Sequence, residues 1–232
     1  MVEIIVVGEG RTEEDFLAKL VAPALASQGV YVRPRLLRTS GNARGGALTW
    51  GRVLHHLPRF LKERRDVYVS TFFDLYGLAP DFPGVGNALS LGDPLSRATA
   101  IEDAFRQDIV AAAKCPTDRF LPHIQPHEFE ALLFSDVSRF ATVRPEWEEH
   151  SGRLSRERAS APTPEHINDG PTSHPSARLQ RLLSAPPYRK RIDGLNVAKS
   201  IGLGRIRAEC PHFAGWLARL EALPPLDRDP GP

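Results

Sequence analysis

The chain has 232 residues, of which 41% are hydrophobic and 25% charged, and its net charge is +2. These are ordinary globular values, enough for one large domain or one domain with an appendage. They exclude a whole-molecule electrostatic drive onto nucleic acid or membrane, so any basic surface must be local. Cys115 and Cys210 lie far apart without metal-ligand spacing, which points to a reducing compartment. Met1 leads straight into a strand, and no apolar run approaches ~18 residues. No signal peptide or membrane contact is expected, and the protein reads as cytoplasmic.

The first element is a short buried strand, Val2 with Ile4-Ile5-Val6-Val7, closed by Gly8-Glu9-Gly10. A helix over 13–28 is predicted next, with Thr12 as N-cap and Glu13, Glu14 and Asp15 suiting its dipole. Glu9 sits between two glycines at the strand's carboxyl end, where ligands gather in open α/β sheets. The turn is not a dinucleotide fingerprint, because Glu13 stands where the third glycine belongs. It is not a P-loop either, since no Gly-Lys-Ser/Thr follows. A carboxylate here would repel a phosphate, and a divalent cation between the two would reverse that sign.

A second strand over 30–37 leads to the glycine-rich loop Thr39–Gly46, where Arg44 is a candidate phosphate contact. Residues 48–64 have helical periodicity, with Pro58 as a possible bend. The β-prone run 66–75 delivers Asp74 at its carboxyl end, as the first strand delivers Glu9. If the two strands are parallel, both acids project at one sheet edge. A long Gly/Pro-rich loop over 76–94 precedes an amphipathic helix over 98–114 that opens with Glu102 and Asp103. A short strand over 119–125 then runs into Gln125-Pro126-His127-Glu128-Phe129-Glu130, which puts Glu128 and Glu130 near a helix N-terminus. Ala131 rules out a zinc-protease HExxH, and Pro126 separates His123 from His127 as ligands on one helical face.

The stretch 146–176 is rich in Ser, Pro, Arg and Glu and reads as a linker or loose excursion. From Arg178 to Arg207 the chain is locally basic, with Arg178, Arg189 and Arg191 as candidate nucleic-acid contacts. An amphipathic helix over 213–223 closes the chain. The domain reading is therefore an α/β domain over 1–145, the excursion 146–176, and a basic helical extension over 177–232 packed on the first domain.

Val7-Gly8-Glu9-Gly10-Arg11-Thr12-Glu13 resembles the opening motif of bacterial TOPRIM-like proteins. With Phe73-Asp74-Leu75-Tyr76-Gly77, the Gln125–Asp136 run, Glu165–Pro171, Pro175–Leu179 and Tyr188-Arg189-Lys190, the chain resembles domain-of-unknown-function family 4276 over nearly its whole length. The resemblance implies a TOPRIM-like, Rossmannoid fold: a small parallel sheet flanked by helices, related to the OLD-type nucleases. It implies Mg²⁺ (or Mn²⁺) held by Glu9 and Asp74 for phosphoryl-transfer chemistry on DNA or RNA. It also implies an ABC- or AAA-type ATPase partner in phage defence, and a possible homodimer. Tyr76 stands where the second aspartate of the family's Asp-x-Asp belongs, so Glu128, Glu130 or Asp136 is expected to complete the metal site. Each metal in such chemistry needs one or two carboxylates, and Lys190 is the candidate for balancing transition-state charge, with Arg189 beside it. The competing readings are a non-catalytic scaffold for nucleic acid or an ATPase, and a small-molecule phosphoesterase.

Overall fold

Four consecutive aliphatic residues on β1 (Val2–Gly8) feed two cores at once. In the computed structural model, which describes residues 1–37, 47–167 and 173–226, Ile4 and Val6 enter one apolar cluster and Ile5 and Val7 the other. Side chains alternate across a strand, so a strand covered on both faces must be apolar at every position. Each such aliphatic side chain contributes roughly 1.5–3 kcal/mol by burial. β1 lies between β2 (Val30–Leu36) and β3 (Tyr68–Asp74), parallel to both. β4 (Phe120–Leu121) and β5 (Ile124–Gln125) both pair with β3, giving a five-stranded parallel sheet flanked by helices.

The expected strand over 119–125 is two pieces, because Pro122 has no N–H to give the ladder. Side chains of β3 satisfy the interrupted backbone: Ser70 Oγ donates to Leu121 O, and Thr71 Oγ1 bonds both His123 O and His123 N.

The chain leaves β1 toward β2 on one side and returns to β3 on the other. The crevice between the carboxyl ends of β1 and β3 is therefore the switch point of the sheet, the place where such folds hold ligands.

On one face lie the helices Trp50–Glu63 and Pro94–Ala113. Pro58 remains inside the first. The second begins earlier than its periodicity suggests, because the Asp93 side chain caps Ser96 N at 2.8 Å and Pro94 follows it. The other face carries the first helix, which runs from Arg11 to Ala26 through a π-helical turn at Leu17–Val21. It is capped by Gly10 rather than Thr12, which is buried within the first turn.

The stretch 146–176, expected to be loose, is helical over Ser151–Ala159 and buries Trp147, Leu154 and Ile167 in the same core as β1. Three large anchors spaced along a polar segment leave no readable period, yet each fills a core site. Leu179, Val197, Ile206, Phe213 and Trp216 from the C-terminal stretch join that core. The segment after 176 thus covers a sheet face rather than sitting on a finished domain. No helix among the described residues is long and apolar enough to cross a membrane.

A candidate metal centre at the carboxyl ends of β1 and β3

Register brings the acids together. Gly8 is level with Phe72, so Glu9 and Asp74 leave the sheet at the same edge. Glu9 Oε1 accepts from Asp74 N at 2.9 Å, and Asp74 Oδ1 accepts from Phe129 N at 3.0 Å. A β-carbon on Gly77 would lie 2.9 Å from Glu9 Oε2, so the turn after β3 has room for that carboxylate only because residue 77 lacks one.

Glu128 and Glu130 arrive from the next segment through a tight turn at His127, whose φ of 64° lies in the left-handed region that non-glycine residues seldom occupy. A 3₁₀ helix, Phe129–Ser135, follows. Glu128 is held by His174 Nδ1 at 3.0 Å and by the amide and hydroxyl of Ser176. Glu130 is fully buried; its Oε2 lies 2.9 Å from Lys190 Nζ, and the Tyr188 hydroxyl also bears on this carboxyl. Lys190 Nζ also lies 3.7 Å from Glu128 Oε2.

Electrostatics follow from this crowding. Burial, reinforced by Glu13, pushes the Glu9 carboxyl up to about 7 against the pull of the Asp74 amide. Burial likewise raises Asp74 well above the carboxylate range, with Glu13, Glu9 and Glu128 adding to it against Lys190. Glu130 is pushed up to about 7 by burial. For Glu128, burial is outweighed by Lys190, the Ser176 amide and His174, and its pKa falls. Burial would lower Lys190, but Glu130, Asp74, Glu128 and Glu13 outweigh it and raise the ammonium's pKa. Five carboxylates thus surround one lysine.

Of the residues singled out from sequence, Glu9, Asp74, Glu128, Glu130 and Lys190 share this crevice. Asp136 does not. Its carboxylate accepts from Ser138 N at 3.1 Å and pairs with Arg139 at 3.1 Å, which makes it a local turn cap. Arg178 is buried and bonded to Glu157 and to Ser173 O, so it is committed inside the protein rather than offered to a phosphate. Arg189 and Arg191 are exposed, but Arg189 is paired with the buried Asp193 and Arg191 with Asp15. Arg44 lies outside the described residues. Glu13, read from sequence as a helix-dipole residue, is buried at the edge of the crevice instead. A β-carbon on Gly10 would lie 2.7 Å from its Oε2. Nothing in the sequence marked His174 or Ser176 as a site residue, because their role depends on a fold that brings them to Glu128.

A second cluster lies apart from these acids. Glu102, His123 and His212 place three donor atoms within 4.8 Å of one another and could hold a metal ion. Glu102, expected to serve a helix start, is buried in the third turn of its helix.

A family model described as "Domain of unknown function (DUF4276)" matches residues 8–221. No curated protein and no solved structure matches the chain.

Proposed function

Because the chain belongs to the DUF4276 family, whose description assigns no function, we propose one from the geometry: a divalent-cation-dependent phosphodiesterase of TOPRIM type, a nuclease acting on DNA or RNA. The observation that carries this reading is the fully buried Glu130, ion-paired to Lys190, beside Glu9, Asp74 and Glu128 at the switch point of a parallel sheet. Among the described residues the acids of this pocket outnumber the cations that act on them, Lys190 and, for Glu9, Arg52, and Mg²⁺ or Mn²⁺ suits such a charge balance, since both are hard cations with oxygen ligands. Glu9, Asp74 and Glu130 are the ligands proposed, with Glu128 completing the set.

When bound, the cation would supply phosphate neutralisation and water activation. In this reading Lys190, whose side chain is 37% exposed, faces an incoming phosphate. Tyr76, exposed and tilted against His174 with ring centroids 5.0 Å apart, gives the crevice an aromatic rim of the kind on which nucleobases stack. The ATPase partner and the phage-defence setting that the family resemblance implies belong to this proposal, as does a homodimer.

Calorimetry with Mg²⁺ and Mn²⁺ on wild type, Glu9→Gln and Asp74→Asn tests the reading, followed by a cleavage screen on DNA and RNA using the same variants. Metal binding lost in both variants, with metal-dependent cleavage in wild type alone, supports it. Absence of metal binding in wild type sinks it. Metal binding without cleavage would favour the second reading, a non-catalytic scaffold for nucleic acid or an ATPase. That alternative draws on Tyr76 in the place of a second acid.

A further inference from the structure

We propose that Glu102, His123 and His212 form a second metal site, distinct from the acidic crevice, which takes a borderline divalent cation of the Zn²⁺ class and fastens the C-terminal helix to the sheet. The three residues come from three elements. Glu102 lies on the helix Pro94–Ala113, His123 between β4 and β5, and His212 in the first turn of the helix Pro211–Glu221.

The tautomer of His123 carries the argument. Glu165 is fully buried and accepts from His212 N, Phe213 N and Gln125 Nε2. Gln125 thereby spends its amino group on Glu165 and turns its Oε1 toward His123 Nε2, 3.2 Å away. An amide oxygen only accepts, so His123 Nε2 carries the ring proton and Nδ1 bears the lone pair. That Nδ1 is fully buried, has no hydrogen-bond partner, and faces Glu102 Oε1 at 3.5 Å. Two acceptors directed at each other in a buried site repel, and a cation bound to both turns that repulsion into attraction.

Geometry and chemistry agree. Tetrahedral coordination at the usual Zn–N and Zn–O lengths separates ligand atoms by ~3.3 Å. Here His212 Nε2 and Glu102 Oε1 share a hydrogen bond at 2.8 Å, which the cation would replace, and His123 Nδ1 lies 3.5 Å from the same oxygen. Two imidazoles and one carboxylate select Zn²⁺ or Co²⁺ over Mg²⁺, which prefers oxygen donors in an octahedron. The outer shell is also built. Gln125 orients His123 through the nitrogen opposite the ligating one, the arrangement usual for metal-bound histidine. Ile124 N donates to Glu102 Oε1 at 2.9 Å, and Arg219 lies 3.4 Å from Oε2. His123 also stacks between His212 and Trp216, so its ring plane is fixed. His123 O accepts from Phe73 N, one residue before Asp74, so the clasp acts on the strand that delivers that acid.

The test uses the full chain purified without a histidine tag. Its metal content is measured by mass spectrometry, after which it is stripped with chelator and titrated with Zn²⁺ and Co²⁺. The expected result is about one Zn²⁺ per chain, a zinc-dependent rise in Tm, and a Co²⁺ absorption band of tetrahedral type. His212→Gln should lose all three while keeping the far-UV spectrum of wild type, and Glu9→Gln should keep all three. If His212→Gln does not fold, the Co²⁺ band of wild type decides, because an all-oxygen octahedral spectrum overturns the site. The proposal also fails if wild type takes up no Zn²⁺, if His212→Gln binds as well as wild type, or if Glu9→Gln is the variant that loses the metal.

Discussion

The Glu9 carboxylate accepts the amide proton of Asp74 at 2.9 Å, so the acid ending one strand is held by the backbone that ends its neighbour. Asp74 in turn accepts from Phe129 N, which ties β1, β3 and the Glu128–Glu130 segment into one relay. Backbone donors at fixed positions orient both carboxylates without consuming a side-chain cation. The charge of the acids therefore remains to be met by Lys190 and by protons, or by a metal.

Glu9 should make the metal-free protein less stable as pH rises. Its folded pKa, about 7, exceeds the ordinary value of 4.5, so the folded state binds this proton more tightly. The stabilising contribution is full below 4.5 and lost as pH rises through about 7. In chelator, Glu9→Gln and wild type should melt alike at the acid end of that window. Above it Glu9→Gln should be more stable, by up to about 3 kcal/mol. Comparing the two proteins cancels His123, which burial pushes down to about 4 and which acts in the opposite direction. A Tm difference independent of pH would contradict the assignment.

Gly77→Ala should weaken metal binding while sparing the fold. The new methyl group would lie 2.9 Å from Glu9 Oε2, the movable end of a side chain, so the carboxylate shifts rather than the backbone. A drop in Mg²⁺ affinity of about tenfold, with Tm changed by no more than a few degrees, is expected. Unchanged affinity in calorimetry would show that Glu9 does not reach the metal from this position.

Lys190→Met should destabilise the metal-free protein and be rescued by Mg²⁺. Removing one partner of a buried ion pair costs about 3–5 kcal/mol. The one-third exposure of Lys190 and protonation of Glu130 reduce that to about 1–3 kcal/mol. Thermal melts with and without Mg²⁺ check this. Equal losses under both conditions would mean the ammonium and the metal do not answer the same charges.

Much of the sheet and half of the site were legible. Ile4-Ile5-Val6-Val7 announces a strand buried on both faces, and the run ending at Asp74 another, because aliphatic and β-prone content reports burial directly. Strand-end acids then follow from parallel pairing. Glu13 was opaque: an acid in a helix's first turn has a sufficient local explanation, and only the three-dimensional path of Gly8–Gly10 turns it toward Glu9. His212 was opaque for another reason. It reaches Glu102 across 110 residues of sequence, and such a ligand set has no spacing to read. The reading of 146–176 as loose came from averaging, since Trp147, Leu154 and Ile167 are few but each is buried.

Lys190 also bears on how this protein tolerates being cut. It enters the crevice from the far side of the segment that holds His174 and Ser176, while every acid it neutralises comes from the first 130 residues. A fragment ending near residue 145 would keep the sheet and all five carboxylates but lose their one ammonium and a face of their core. Such a fragment would repel itself at neutral pH before any question of packing arose. Fusion, tagging and complementation designs should therefore treat the two halves as obligate companions, joined by charge as well as by contact.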